Sequence, residues 1–125
     1  MQTTVNLERL AEQFEECQEV LMAIGDTTRQ SIIITLISAG CRGMRVGEIT
    51  EKTHLSRPAV SHHIKILKNA KVVNVNRQGT MNYYFLDPTK STIRLLKSLT
   101  EHIEEYMTEA WEEGKVRKQE TNALQ

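Results

Sequence analysis

The stretch LSRPAVSHHIKILKNA, Leu55 to Ala70, restricts this chain more tightly than any other. Ser56 suits the cap of a helix, because its hydroxyl oxygen can accept from a first-turn amide that has no partner inside the helix. Pro58 falls in that first turn, where a missing N–H costs nothing. Val60, Ile64 and Leu67 then recur at the spacing of one buried helix face. A helix of this kind needs a core for its apolar stripe, which leaves Arg57, Ser61, His62 and Lys65 on the other side. Short polar groups beside long cationic ones suit a polyanion with hydrogen-bonding edges. They also suit an ordinary solvated face, so the flanking segments must decide.

Charge is the first of those flanking signals. The formal net charge is zero, yet Lys52 to Leu86 holds six Lys/Arg (Lys52, Arg57, Lys65, Lys68, Lys71, Arg77) and no acid. His54, His62 and His63 lie in the same segment. The residues up to Asp26 carry six acids against Arg9 alone, and a second acidic block runs from Glu101 to Glu113. A basic centre between acidic arms is the electrostatic pattern of a nucleic-acid binder. With 39% hydrophobic and 26% charged residues, the composition is globular, and 125 residues make a core small enough to gain from a partner chain. No apolar run reaches spanning length, and no basic-then-apolar leader opens the chain, so the expected setting is the cytoplasm and no membrane. Two cysteines without dense spacing exclude a disulfide scaffold.

In chain order, Leu7, Leu10, Phe14, Cys17, Leu21 and Ile24 alternate at threes and fours and predict one helix over about 5–24 with a heptad seam. Cys17 on that seam reads as a small buried apolar residue. Gly25-Asp26 breaks the helix, and Asp26 caps a second one from Thr27 to about Ser38, whose run of isoleucines reads as buried. After the loop Cys41-Arg42-Gly43, a short helix over about 45–53 turns Val46 and Ile49 inward, and His54-Leu55 leads straight into Ser56. Short helix, turn and longer basic helix make a helix-turn-helix. Lys71–Val75 and Met81–Leu86 predict two strands joined by the loop Asn76–Thr80, a basic-tipped hairpin placed as a wing. Asp87-Pro88 ends the second strand. A last helix over about 89–113 carries Ile93, Leu96, Leu99, Ile103, Tyr106, Met107 and Ala110. The expected fold is therefore mainly α with a small β-hairpin wing. One domain spans 1–113, with a DNA-binding core over about 45–86 and a polar tail over 114–125.

The segments GDTTRQSIII, MRVGEITEKTHLSRPAVSHHIKILKNAKVV and RQGTMNYYFL together resemble the ArsR/SmtB family of small winged-helix repressors over about Met22 to Leu86. The resemblance implies a homodimer joined through its first and last helices, here by Leu7, Leu10, Phe14, Cys17, Ile93, Leu96, Ile103 and Met107. It implies a pseudo-palindromic double-stranded DNA operator, released when an effector arrives. Carried over by position, the contacts fall on Ser56, Arg57, Pro58, Ser61, His62 and Lys65 of the helix and on Arg77, Gln78 and Thr80 of the wing. Pro58 has no side-chain donor, so one polar contact common in the family is missing. His62 is expected outward, and His63 beside the apolar seam.

Two metal sites of the family lack their donors here. The positions of one Cys-Val-Cys site are Arg45-Val46-Gly47, which offer no thiolate. The other site pairs Asp-x-His with His-x-x-acid; His102 and Glu105 supply the second half, but Thr89 and Ser91 stand where the first belongs. Asp87 lies two residues too early. No metal and no cofactor is expected. Cys41 beside Arg42 is the better candidate for a thiol sensor, without a second thiol to meet it. No glycine-rich phosphate loop or nucleophile–base spacing suggests an enzyme. Two alternatives remain open: a winged helix used as a protein-interaction module, and a metal or thiol sensor built on His102/Glu105 or Cys41.

Overall fold

Capping side chains set where three of the helices begin in the computed structural model, which describes residues 6–124. Asn6 Oδ1 accepts from the amide of Arg9 at 2.8 Å and starts α1, Leu7–Glu16. Asp26 Oδ2 accepts from Arg29 N at 2.9 Å and starts α3, Thr27–Ala39. Ser56 Oγ accepts from Ala59 N at 3.2 Å and starts α5, Arg57–Asn69. Between these lie α2, Gln18–Ile24, a single 3-10 turn at Gly40–Arg42, and α4, Val46–Thr53. The hairpin β1, Asn74–Gln78, and β2, Met81–Phe85, precedes α6, Arg94–Leu124. Among the described residues no single helix is long and apolar enough to cross a membrane.

The chain divides into two compact units, one made of the residues through Cys17 with those from Leu95 on, the other of Gln18–Arg94. In the larger unit α5 packs on α2, α3 and α4. Ile32, Leu36, Ile49, Val60, Leu67 and Val72 are sealed from solvent at its centre. The isoleucine run of α3 is only half core: Ile32 and Ile33 are buried, while Ile34 and Ile37 face solvent. A helix turns by about 100° per residue, so consecutive apolar residues cannot all face one way.

Several boundaries differ from the sequence reading. The helix expected over 5–24 is broken at Cys17, whose amide is shared between the carbonyls of Gln13 at 3.0 Å and Phe14 at 3.2 Å. One residue of turn leaves the seam spacing intact, so the break is invisible in periodicity; Val5 lies outside the described residues. The last helix, expected from Thr89, starts at Arg94, because the preceding segment spends its donors elsewhere. Asp87 Oδ1 accepts from both the amide and the hydroxyl of Thr89, and Ser91 and Thr92 bond back to residues 70–72. Residues 114–124, expected as a frayed polar tail, continue α6 as exposed helix. Ion pairs one turn apart, Glu112–Lys115 and Glu113–Arg117, line that stretch.

Lys71, Val72 and Val73 are not strand. They close α5 in a Schellman arrangement, with Lys71 N donating to Lys68 O and Val72 N to Leu67 O. Val72 and Leu67, which this motif brings together, are both fully buried. Lys71 occupies the left-handed position, φ 60°, that glycine usually takes. The hairpin is correspondingly longer at its tip. Pairing runs from Asn74 opposite Phe85 to Gln78 opposite Met81, leaving only Gly79-Thr80 as the turn. Gly79 alone there has positive φ, as a type II′ turn requires. Met44 adds one antiparallel bridge opposite Tyr84. The neighbouring Gly43, φ 71°, passes so close that a Cβ would sit 2.5 Å from Tyr84 O.

These two left-handed positions predict opposite outcomes. Lys71→Gly should raise stability by about 0.5–1 kcal/mol, since it relieves the left-handed strain. Gly43→Ala should lower it by about 2–3 kcal/mol through strain and backbone overlap. Urea unfolding with unchanged m-values checks both.

Candidate nucleic-acid interface

The apolar stripe of α5 is Val60, Ile64 and Leu67, none more than 3% exposed. Arg57, Pro58, Ser61, His62 and Lys65 are all exposed. Helical geometry places Arg57, Ser61, Lys65 and Lys68 within about 80° of arc, and His62 about 60° beyond Lys65, opposite the buried stripe. The helix thus has one locked side and one open cationic side, beginning at the exposed cap Ser56.

His62 and His63 diverge, their rings 5.3 Å apart at 63°. His63 is half-buried, and its Nδ1 lies 3.2 Å from Arg29 Nη1. Arginine only donates, so His63 Nδ1 accepts and its proton sits on Nε2. Arg29 also donates to Ala23 O at 2.6 Å and to Met22 O at 3.3 Å, and its guanidinium is 4.0 Å from Asp26. One mostly buried guanidinium therefore ties the α2–α3 corner to α5. The sequence reading missed Arg29; its signal was its place three residues after the cap Asp26. That cap carboxyl is held below its ordinary value of 3.8, chiefly by the amide of Arg29.

On the hairpin, Arg77, Gln78 and Thr80 are exposed. Arg77 and Gln78 belong to β1 and not to a loop, so their side chains leave opposite faces of the ribbon. Arg77 Nε donates to Gly79 O at 3.0 Å, folding the guanidinium over the turn. A groove of about 600 Å³ lies between α4, the start of α5 and the hairpin. Arg42, Arg45 and Arg57 line it together with Thr80 and Asn82. Glu48 is clamped there, 3.2 Å from Arg42 and 3.6 Å from Arg45. Burial would raise its pKa, but the amide of Arg45 and the two guanidinium groups outweigh that and hold it below the ordinary carboxylate value. Arg42 and Arg45 were not singled out as contacts from the sequence, where they stand apart from the basic segment.

The other unit has a different chemistry. Gln13, buried at 6% exposure, accepts from His102 Nδ1 at 2.7 Å and reaches Ser98 Oγ at 3.4 Å. A donating Nδ1 makes His102 a structural partner of Gln13. Among the described residues, no group of three or more His, Cys, Asp or Glu is placed to hold a metal ion. Arg45-Val46-Gly47, Thr89 and Ser91 carry no thiolate, imidazole or carboxylate side chain. Both cysteines are free thiols, Cys17 buried and Cys41 exposed. Burial and nearby Glu16 push the Cys17 thiol up, away from the reactive thiolate. Of the expected dimer-seam residues, Leu7, Phe14 and Met107 are exposed, Leu10, Ile93, Leu96 and Ile103 half-buried, and Cys17 buried.

Comparison with known proteins agrees with this geometry. The profile described as "Bacterial regulatory protein, arsR family" matches residues 27–75, from α3 into β1. The HTH-type transcriptional regulator MJ1325 of Methanocaldococcus jannaschii is 36% identical over 90 residues, 70% of this chain and 99% of that protein. The chain belongs to the ArsR family. It is a DNA-binding transcriptional regulator with a winged helix-turn-helix. A further relative, the transcriptional repressor SdpR of Bacillus subtilis, is 41% identical over 70 residues, covering 56% of this chain and 74% of that one. Among solved structures, the fold resembles an ArsR-like regulator from Rhodococcus sp. RHA1, with TM-score 0.70, 20% identity and 92% and 98% of the two chains covered. NolR from Sinorhizobium fredii matches with TM-score 0.57 and 26% identity over 81% and 95%.

Two predictions follow from the Arg29 corner of this ArsR-family chain. Arg29→Lys should cost about 1.5–3 kcal/mol in urea unfolding, because an ammonium cannot span the carbonyls and His63 Nδ1 as the fork does. The second concerns acid. A carboxyl with depressed folded pKa contributes its stability fully above its ordinary value and loses it as pH falls through the folded one. Asp26→Asn keeps a capping oxygen but cannot titrate. Its melting temperature should therefore fall less steeply than wild type between about pH 5 and about pH 2. An equal slope would remove Asp26 from the acid response.

Proposed function

We propose that this chain is a homodimeric repressor, acting in the cytoplasm, in which each α5 enters the major groove over one half of a pseudo-palindromic operator. The observation that carries this reading is the fixed orientation of α5. Its aliphatic stripe is sealed in the core, so Arg57, Ser61, His62 and Lys65 are held outward at one angle. Arg57, Ser61 and His62 sit in the first two turns, where a docked helix meets base edges. Ser56, Pro58 and Lys65 flank them towards the backbone. Arg77, Gln78 and Thr80 on the wing reach phosphate or sugar, and Arg42 and Arg45 extend that anchoring across the groove beside α4.

Dimerisation is supported by apolar side chains that the single chain leaves in water: Leu7 and Phe14 on α1, Met107 and Trp111 on α6. A homodimer has the symmetry of a palindromic site. The chain carries out no catalysis in this reading. Control does not run through the family's two metal sites, whose donors are replaced by Arg45-Val46-Gly47 and by Thr89 and Ser91.

Selection of bound duplexes from random DNA, followed by variant titrations, tests the reading. Ser61→Ala or His62→Ala should weaken the selected site by about 1–3 kcal/mol and relax preference at particular positions. Arg77→Ala should weaken selected and random duplexes alike, and lower the salt slope by about one unit per subunit. Sedimentation should give a dimer at micromolar protein. If Arg77→Ala changed sequence preference while Ser61→Ala and His62→Ala did nothing, the hairpin would be the reader and the helix-in-groove reading would fall.

A further inference from the structure

A second cavity, of about 420 Å³, lies in the larger unit away from the cationic face, between the C-terminal half of α3 and the connection from β2 to Arg94. Leu36, Ile37, Leu86 and Ile93 give it apolar walls, and Arg94 and Asp87 stand among them. The two charges are not equivalent. Asp87 is engaged within its own turn, its Oδ1 accepting from Thr89 N at 2.8 Å and Thr89 Oγ1 at 2.7 Å. Arg94 is exposed, and among the described residues its guanidinium has neither hydrogen bond nor ion pair. An open cleft with apolar walls and one uncommitted guanidinium selects a ligand with an apolar body and one acid group. Its volume falls within the roughly 300–1,000 Å³ range of small-molecule sites, enough for a ligand of about ten non-hydrogen atoms.

The wall of this cavity is bonded to both elements that face DNA. Asp87 N donates to Asn74 Oδ1 at 2.9 Å, at the base of the wing. Ser91 Oγ donates to Val72 O at 2.6 Å, Thr92 N to Lys71 O at 2.9 Å and Thr92 Oγ1 to Ala70 O at 2.8 Å, all at the end of α5. Ser91 itself lines the cavity and is only 4% exposed. A ligand entering between α3 and this connection pushes on a segment bonded both to the end of α5 and to the foot of the wing.

We propose that this cavity is an effector site for a small apolar carboxylic acid, paired with Arg94, whose binding loosens the 87–92 connection and lowers operator affinity. The regulatory half rests on the DNA reading given above; the binding half does not. Octanoate is the probe and octan-1-ol its uncharged match, titrated into the full chain by amide NMR. Octanoate should saturably move the signals of Ile37, Gly40 and Ser91. Arg94→Gln should weaken octanoate about tenfold while leaving octan-1-ol within about twofold, the loss of one charge-assisted contact. Ile37→Gln should weaken both. At saturating octanoate, affinity for the selected duplex should fall at least about fivefold in wild type, and Arg94→Gln should need about tenfold more octanoate for the same fall.

Octanoate binding unaffected by Arg94→Gln, or shifts confined to the Met107–Trp111 face, would overturn the site. Signals that move with protein concentration and not with octanoate would put a second copy there instead and overturn it equally. Binding without any change in operator affinity would overturn the regulatory half. A protein that binds no duplex even without octanoate would instead sink the DNA reading, while the NMR titration still decides the cavity.

Discussion

Val60, Ile64 and Leu67 fasten α5 by one side, and the rest of the larger unit serves that attachment. Burying three aliphatic side chains contributes about 5–9 kcal/mol, an upper estimate because the unfolded chain already hides some of that surface. A rotation of α5 by one residue would forfeit much of it. Single base contacts are worth only about 1–3 kcal/mol each. The angle of the helix is therefore set by the core before any duplex arrives, and the outward residues are pre-positioned. Arg29 adds a polar anchor on a third side, through His63.

Fixing the angle does not fix the two ends. At the start, Ser56 and Pro58 suffice, since a capping hydroxyl and a preset φ need no tertiary help. The other end is costlier, because Lys71 adopts a conformation disfavoured for a side chain. What holds it there is the burial of Val72 and Val73 with the bonds from Ser91 and Thr92. The same short connection braces Asn74 at the foot of the wing. Residues 87–92 thus bond both to the end of α5 and to the foot of the hairpin.

How much was legible beforehand depends on how local the cause was. Caps were readable at Asp26 and Ser56 because an N-cap acts on amides two or three residues ahead. The outward face of α5 was readable because its period is strict. Cys17 was not, since a turn of one residue preserves the spacing on either side. Val72 and Val73 read as strand from propensity, yet propensity cannot distinguish a buried β-branched pair in a ladder from one that closes a helix. The cationic groove was hidden for a different reason: Arg42, Arg45 and Arg57 come from three successive elements, and only the fold gathers them. Arg29 points the same way, since its partners come from α2 and α5.

The match to the ArsR-family profile ends at residue 75, within β1. It takes in α3, α4 and α5, the elements that make and orient the proposed reading face. It stops before the wing tip, and before Leu86–Arg94, which form one wall of the proposed effector cavity. Physically the two parts obey different constraints. The reading face must keep a rigid angle against a polyanion of nearly fixed shape. The 87–92 connection has only to brace its neighbours, which hydroxyls of Ser91 and Thr92 do without filling the space behind them. In the proposed scheme, what the regulator senses depends on the residues behind that brace, while the stripe that aims α5 stays as it is.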